Sequence, residues 1–297
     1  MQKFSTQQYS LPLRTLLLAL LLAALAGCSL GRMAYNNGEM LSQIWLDRYV
    51  DFTEEQKPFV QREVDQLFAW HRREQLPAYI EILQKAQQRA QRPVSEDEVR
   101  ADYDLIRTKV LVIVEQALPS LADLALSLQP EQIAHLENKF ANNNEDYRRE
   151  HLRGDIEQRH HTRYKKALKQ AEYFFGNFSD QQAQRLQALS RARPLNNELV
   201  LEFHKRRQQE MLAMLKKIQA ERPPRDAVIG MLRAYVKATM DYYGNPEFKA
   251  FYHAYEAATI HQVTEVINHT TPQQKQHLVN NLQKWIDDFK RLRKMEP

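Results

Sequence analysis

The residues of this 297-residue chain that could do chemistry are few: one thiol, one dense group of cations, and scattered histidines and carboxylates. The thiol is Cys28, the sole cysteine. Three roles fit a lone cysteine: a buried apolar group, a nucleophile, or an attachment point for lipid. The cations are Arg148, Arg149, Arg153, Arg159, Arg163, Lys165, Lys166 and Lys169, set against only Glu150, Asp155 and Glu157 within residues 148–169. Side chains of this kind can hold phosphate through charge-assisted hydrogen bonds. They suit equally a long solvated helix face laced with ion pairs one turn apart, and that is the plainer reading.

Metal and catalytic chemistry find less support. His160 and His161 are adjacent and diverge on a helix. His253, His261, His269 and His277 recur every eight residues, a rotation of about 80° per step, so they do not share a face. The chain has no H-E-x-x-H, no second cysteine to complete a ligand set and no G-x-S-x-G elbow. Its seven glycines are too scattered to build a phosphate-cradling loop. Asp287-Asp288 and Glu54-Glu55 read as solvated helix ends rather than as opposed carboxylates. The expectation is a binding or scaffold module with no catalytic residue, no metal and no cofactor.

What precedes Cys28 selects among its roles. Lys3 and Arg14 form a basic opening, and residues 16–26, LLLALLLAALA, form an apolar run of signal-peptide length. A bilayer-spanning helix needs about 20 such residues. Leu25-Ala26-Gly27-Cys28 then resembles the lipobox of bacterial lipoproteins. The resemblance implies removal of residues 1–27 as a signal peptide, cleavage between Gly27 and Cys28, and acyl chains on Cys28. Several chains would make the anchoring effectively permanent. Ser29 is not the aspartate usual in inner-membrane lipoproteins, which points to the periplasmic face of the outer membrane. Short of Lys3 and Arg14, the mature chain carries +3 of the full chain's +5. Residues 148–169 thus hold more positive charge than the mature chain does as a whole. In that compartment an anionic lipid or an acidic envelope protein is the expected partner, and nucleic acid is not.

The elements that must position these groups read as helices. Val99, Tyr103, Ile106, Val110, Ile113 and Ala117 repeat at spacings of four and three, with Ser95 and Glu98 forming a capping box at the start. The run VLVIV at 110–114 belongs to this helix rather than to a strand. Leu278, Leu282, Trp285, Phe289 and Leu292 repeat the pattern, as do Phe248, Phe251, Tyr252, Tyr255 and Thr259. Breaks fall at 91–95, 191–197, 221–226 and 242–247, where proline or glycine interrupts. Short loops predict an all-α fold, either an antiparallel helical bundle or an elongated array of helical hairpins. Residues 28–297 form the helical periplasmic domain, with a subdivision near 192 left open.

One short pattern recurs. Thr53, Gln129, Ser179 and Thr271 are each followed three residues later by a glutamine, at 56, 132, 182 and 274. Each is also followed seven residues later by an aliphatic side chain: Val60, Leu136, Leu186 and Leu278. Four capped helix starts explain this. The pattern also resembles the L-T-x-x-Q elements of small periplasmic chaperones, which implies a cradle for unfolded clients.

Arg32-Met-Ala-Tyr35-Asn36-Asn37, then IWLDRYVDF at 44–52 and FAWHRREQLPAY at 68–79, resemble a group of proteobacterial lipoproteins gathered as domain of unknown function 6279. The resemblance is strongest over residues 25–80 and implies a lipidated helical envelope protein, without transferring any catalytic residue. Trp45, Tyr49, Phe52, Val60, Val64, Leu67 and His71 at helical spacing predict core, and Asp47, Asp51, Arg72, Arg73 and Glu74 predict ion pairs between the helices. The expected role is a membrane-anchored helical binding or scaffold module of the cell envelope. The alternative is a tethered holding chaperone, and an envelope hydrolase stands last. Replacing Cys28→Ala is expected to abolish labelling by radioactive fatty acid and leave an uncleaved precursor; labelled, processed mutant protein would refute the lipobox assignment.

Overall fold

The computed structural model describes Tyr35 and residues 37–294; Gly27, Cys28 and the expected signal peptide lie outside the described residues. The chain forms α1 (Gly38–Val50), α2 (Lys57–Trp70), α3 (Leu76–Arg89), α4 (Glu96–Ser127), α5 (Pro130–His151) and α6 (Ile156–Phe175). It continues with α7 (Asp180–Ala192), α8 (Asn197–Glu221), α9 (Arg225–Met240), α10 (Pro246–Asn268) and α11 (Pro272–Leu292). There is no strand among the described residues, so the all-α expectation holds and 110–114 lies within α4. The four sequence breaks each separate two helices, and Ser95 and Glu98 complete the expected capping box.

Two local features differ from the expectations. The basic segment is not one long helix: α5 ends at His151, Gly154 turns the chain at φ 74°, and Asp155 restarts it by accepting from the Gln158 amide at 2.8 Å. Between α2 and α3 a π-helical turn spans His71–Gln75, where the Leu76 amide reaches back to the His71 carbonyl. Pro77 follows; it has no amide to donate and its ring crowds the preceding turn, which favours such a widened turn over regular α-helix.

The recurring glutamines do more than cap. Gln56 Oε1 accepts from the Thr53 amide at 3.1 Å and Gln132 Oε1 from the Gln129 amide at 3.0 Å. The two side chains then meet: Gln132 donates to Gln56 Oε1 at 2.7 Å, and Gln56 to Gln132 Oε1 at 3.2 Å. Each also donates to a carbonyl two residues before the partner's motif, Gln56 to Ser127 at 3.1 Å and Gln132 to Asp51 at 2.9 Å. Gln182 and Gln274 repeat the arrangement, bonding each other at 2.8 and 3.1 Å and reaching the carbonyls of His269 and Asn177 at 2.9 and 2.8 Å. These are two reciprocal clasps of one design. Buried amides so satisfied fix a single geometry, because any slip would leave them unpaired away from water.

The clasps mark a repeat in the packing. In the first half α1 lies on α2 and α5, and α2 on α4; in the second α6 lies on α7 and α11, and α7 on α10. The halves interlock, since α3 packs on α11 and α8 on α5. The clasp glutamines are 76 residues apart in the first half and 92 in the second, and the excess equals the 16 residues of α9. α9 thus has no counterpart in the first half. It runs antiparallel to α4, tied by Arg225–Asp123 and by a bidentate Arg233–Glu115 pair. Contacts cross residue 192 freely: α8 packs on α5 while α10 packs on α7.

The main core joins Leu118, Ala122 and Ala125 of α4 to Ile133 and Leu136 of α5, Leu212, Leu215 and Ile218 of α8, and Val228 and Leu232 of α9. A smaller aromatic core surrounds the fully buried Phe203 with Tyr242, Phe248 and Tyr252. Gln56→Ala and Gln132→Ala are each expected to cost about 1–3 kcal/mol in urea unfolding, with the double variant costing less than their sum because they share one network. Strict additivity would mean that the clasp is not coupled.

Candidate functional site

The cations singled out by sequence divide into two sets. Arg148 pairs with Glu145 and Arg149 with Asp146, each within α5. Arg159 pairs with Glu198 at 2.7 Å and donates to the Leu152 carbonyl at 2.6 Å, holding α6 to the start of α8. Arg163 is spent on the end of α7, donating to the carbonyls of Ser190, Arg193 and Pro194 at 2.7–2.8 Å. A guanidinium there satisfies otherwise unpaired carbonyls at the negative end of the helix. Burial and then the neighbouring Arg193 hold the pKa of Arg163 below the usual arginine value. Arg153, Lys165, Lys166 and Lys169 stay exposed, with no ion pair among the described residues. The fold therefore leaves these four to meet an anion and does not gather all eight on one surface. Arg148 and Arg149 are taken up by Glu145 and Asp146 just before the segment, and Arg159 and Arg163 by groups on other helices.

The histidines do not converge either. His261 contacts Glu96 at 2.7 Å, and His269 contacts the Glu265 carbonyl on its own helix at 2.8 Å. Among the described residues no group of three His, Cys, Asp or Glu side chains is arranged to hold a metal ion.

A different surface comes from α4, the helix that carries the apolar stripe Val99, Tyr103, Ile106, Val110, Ile113 and Ala117. Tyr103 and Ile106 of that stripe are exposed, as are Leu105, Val112 and Leu121 on the same helix. Only Leu118, Ala122 and Ala125 are buried along the 32 residues of α4. The neighbours explain this. α10 and the end of α9 approach α4 through Arg100 (with Glu256, 3.1 Å) and Arg107 (with Met240), and α3 approaches through Asp102 (with Arg89, 2.6 Å). At 100° per residue these contacts flank the stripe and leave Ile106 exposed, while Val99, Val110, Ile113 and Ala117 of the same stripe are partly buried. Exposed apolar side chains grouped on one element mark an interaction surface more often than scattered ones do.

The N-terminal junction is built differently. The Tyr35 hydroxyl lies 2.9 Å from His71 Nδ1 in the π-helical turn, Gly38 packs under Phe68, and Glu39 pairs with Arg72 at 2.6 Å. The predicted ion pairing of Arg72 is thus met from α1, while Asp47 accepts instead from the Phe52 amide at 3.0 Å. Burial, and then Arg72, hold the His71 pKa down to about 4, so its ring is neutral near pH 7. Burial pushes Tyr79 beside it up to about 12, and Tyr35 above its ordinary value as well. This junction fastens the chain leaving Cys28 to the helical body.

Helix after helix, with two matched clasps, the molecule is an all-α protein of interlocked halves. Residues 48–229 match the Family of unknown function DUF6279, and the chain belongs to that family. The match contains the whole first clasp but only the Ser179–Gln182 arm of the second. It overlaps the resemblance read over residues 25–80 and extends well beyond it. No curated protein and no solved structure matches the chain.

Arg163→Gln is expected to destabilise the protein by about 2–3 kcal/mol, since it strips a charged donor from three carbonyls. The pair Lys165→Gln and Lys166→Gln is expected to leave stability within about 0.5 kcal/mol. Thermal melts of the full chain check both, and a silent Arg163→Gln would contradict the capping role.

Proposed function

We propose that this is a lipid-anchored protein of the cell envelope, held by acyl chains on Cys28 at the periplasmic face of the outer membrane, whose helical body binds another envelope component. The exposed apolar side chains of α4 carry this reading: Leu105 and Val112, about 20° apart on one side of the helix, and Ile106, about 100° round from Leu105. Exposed by 39%, 40% and 37%, Leu105, Ile106 and Val112 forgo roughly 0.5–1 kcal/mol each relative to full burial, a standing cost that a bound partner would relieve. The basic start, apolar run and small residues before Cys28 support the anchor. Exposed Arg153, Lys165, Lys166 and Lys169 supply a weaker, salt-sensitive attraction to anionic head groups or acidic proteins.

The same side chains favour a second reading, a tethered holding chaperone, because exposed apolar groups on a helix bind unfolded chains without a shaped pocket. Photo-crosslinkers at Ile106 and Val112 in intact cells separate the two: one dominant envelope protein supports the scaffold, and a broad set of unfolded clients supports the chaperone. Ile106→Asp with Val112→Asp is expected to abolish capture from a crosslinker at Leu105 while the melting temperature is unchanged. Undiminished capture by that variant would remove α4 as the binding surface.

A further inference from the structure

The helix that follows the anchor has two faces of opposite character. Its inner face is committed to the body: Gly38 lies against the Phe68 ring, Glu39 pairs with Arg72, and Leu46 and Val50 pack with Phe52, Val60 and Val64. Its outer face carries Met40, Leu41 and Ile44, exposed by 52%, 48% and 43%, and one turn further the exposed Arg48. Spacings of one, four and eight place these four on one side of a helix. Nothing among the described residues covers them.

The tether decides what does. Tyr35 is fastened to His71 at 2.9 Å, and it lies seven residue steps from Cys28. A fully extended chain of that length spans about 25 Å. If Cys28 is in the bilayer surface, Tyr35 is held within that distance of it, and α1 starts three residues further on. We infer that the outer face of α1 lies on the lipid surface, with Met40, Leu41 and Ile44 set among the acyl-chain ends of the leaflet that holds Cys28 and Arg48 at the head-group phosphates. Interfacial helices are bound in this way, by apolar side chains inward and cations at the rim. The Tyr35–His71 and Glu39–Arg72 contacts then fix how the body stands on the membrane rather than letting it swing on a free leash. This rests on the lipoprotein reading and adds an orientation to it.

The test uses the full chain purified from the envelope and reconstituted into phosphatidylethanolamine–phosphatidylglycerol vesicles, after intact mass has shown acyl addition at Cys28. Nitroxides are placed by Ile44→Cys, by Leu41→Cys as a second reading, and by Val263→Cys on α10 as an exposed control. Collision with oxygen relative to a water-soluble nickel chelate is expected to be several-fold higher at positions 41 and 44 than at 263. Equal ratios at all three positions in an acylated chain would overturn the membrane contact alone. Protection of 41 and 44 from both reagents would overturn it in favour of a protein or a second copy on α1. A mass without acyl groups would overturn the lipoprotein reading and this inference with it.

Discussion

Two pairs of glutamines, Gln56 with Gln132 and Gln182 with Gln274, hold this fold in register. Each amide uses its oxygen to cap its own helix and its nitrogen to reach the carbonyl just before the partner's helix. One side chain therefore sets where two helices begin and how far apart they stand. An apolar contact in the same place would tolerate sliding, because dispersion and hydrophobic burial are weakly directional. A buried amide does not tolerate it, since a displaced donor loses its partner without regaining water.

The rest of the packing follows from that constraint. With α2 locked to α5 and α7 to α11, the helices that continue each half extend across the other, α3 onto α11 and α8 onto α5. The halves cannot separate without opening both interfaces. α9, the element without a counterpart, lies on α4 and α8 and completes the larger core with Val228 and Leu232. Surface ion pairs such as Arg225–Asp123 and Lys216–Glu137 add alignment, at roughly 0–1 kcal/mol each.

This arrangement also creates the surfaces offered to partners. The buried side of α4 at Leu118, Ala122 and Ala125 is turned by about 100° from the stripe through Tyr103 and Ile106, so one long helix serves the core at one end and faces solvent at the other. At the N-terminus α1 is fixed by its polar inner contacts and keeps its apolar residues outward. Apolar side chains facing water on two otherwise well-packed helices are what distinguish this body from a plain bundle.

Much was legible in the sequence. Periodicity, the Ser95–Glu98 box and the proline and glycine breaks determined the helical class and most helix limits, because these are local effects of backbone geometry and capping. The four glutamine motifs were visible as helix starts, and Phe52-Thr53 and Phe178-Ser179 could have suggested that two of them are equivalent. Which glutamine meets which could not be read, because partners 76 and 92 residues apart leave no local trace. The same holds for the cations: the charge of residues 148–169 was plain, but only the tertiary structure assigned Arg159 to Glu198 and Arg163 to the end of α7. The stripe on α4 was equally plain as a pattern, whereas which part of it stays exposed depended on where α3, α9 and α10 approach. Periodicity specifies which residues share a face; whether another helix covers that face is a property of the assembled whole.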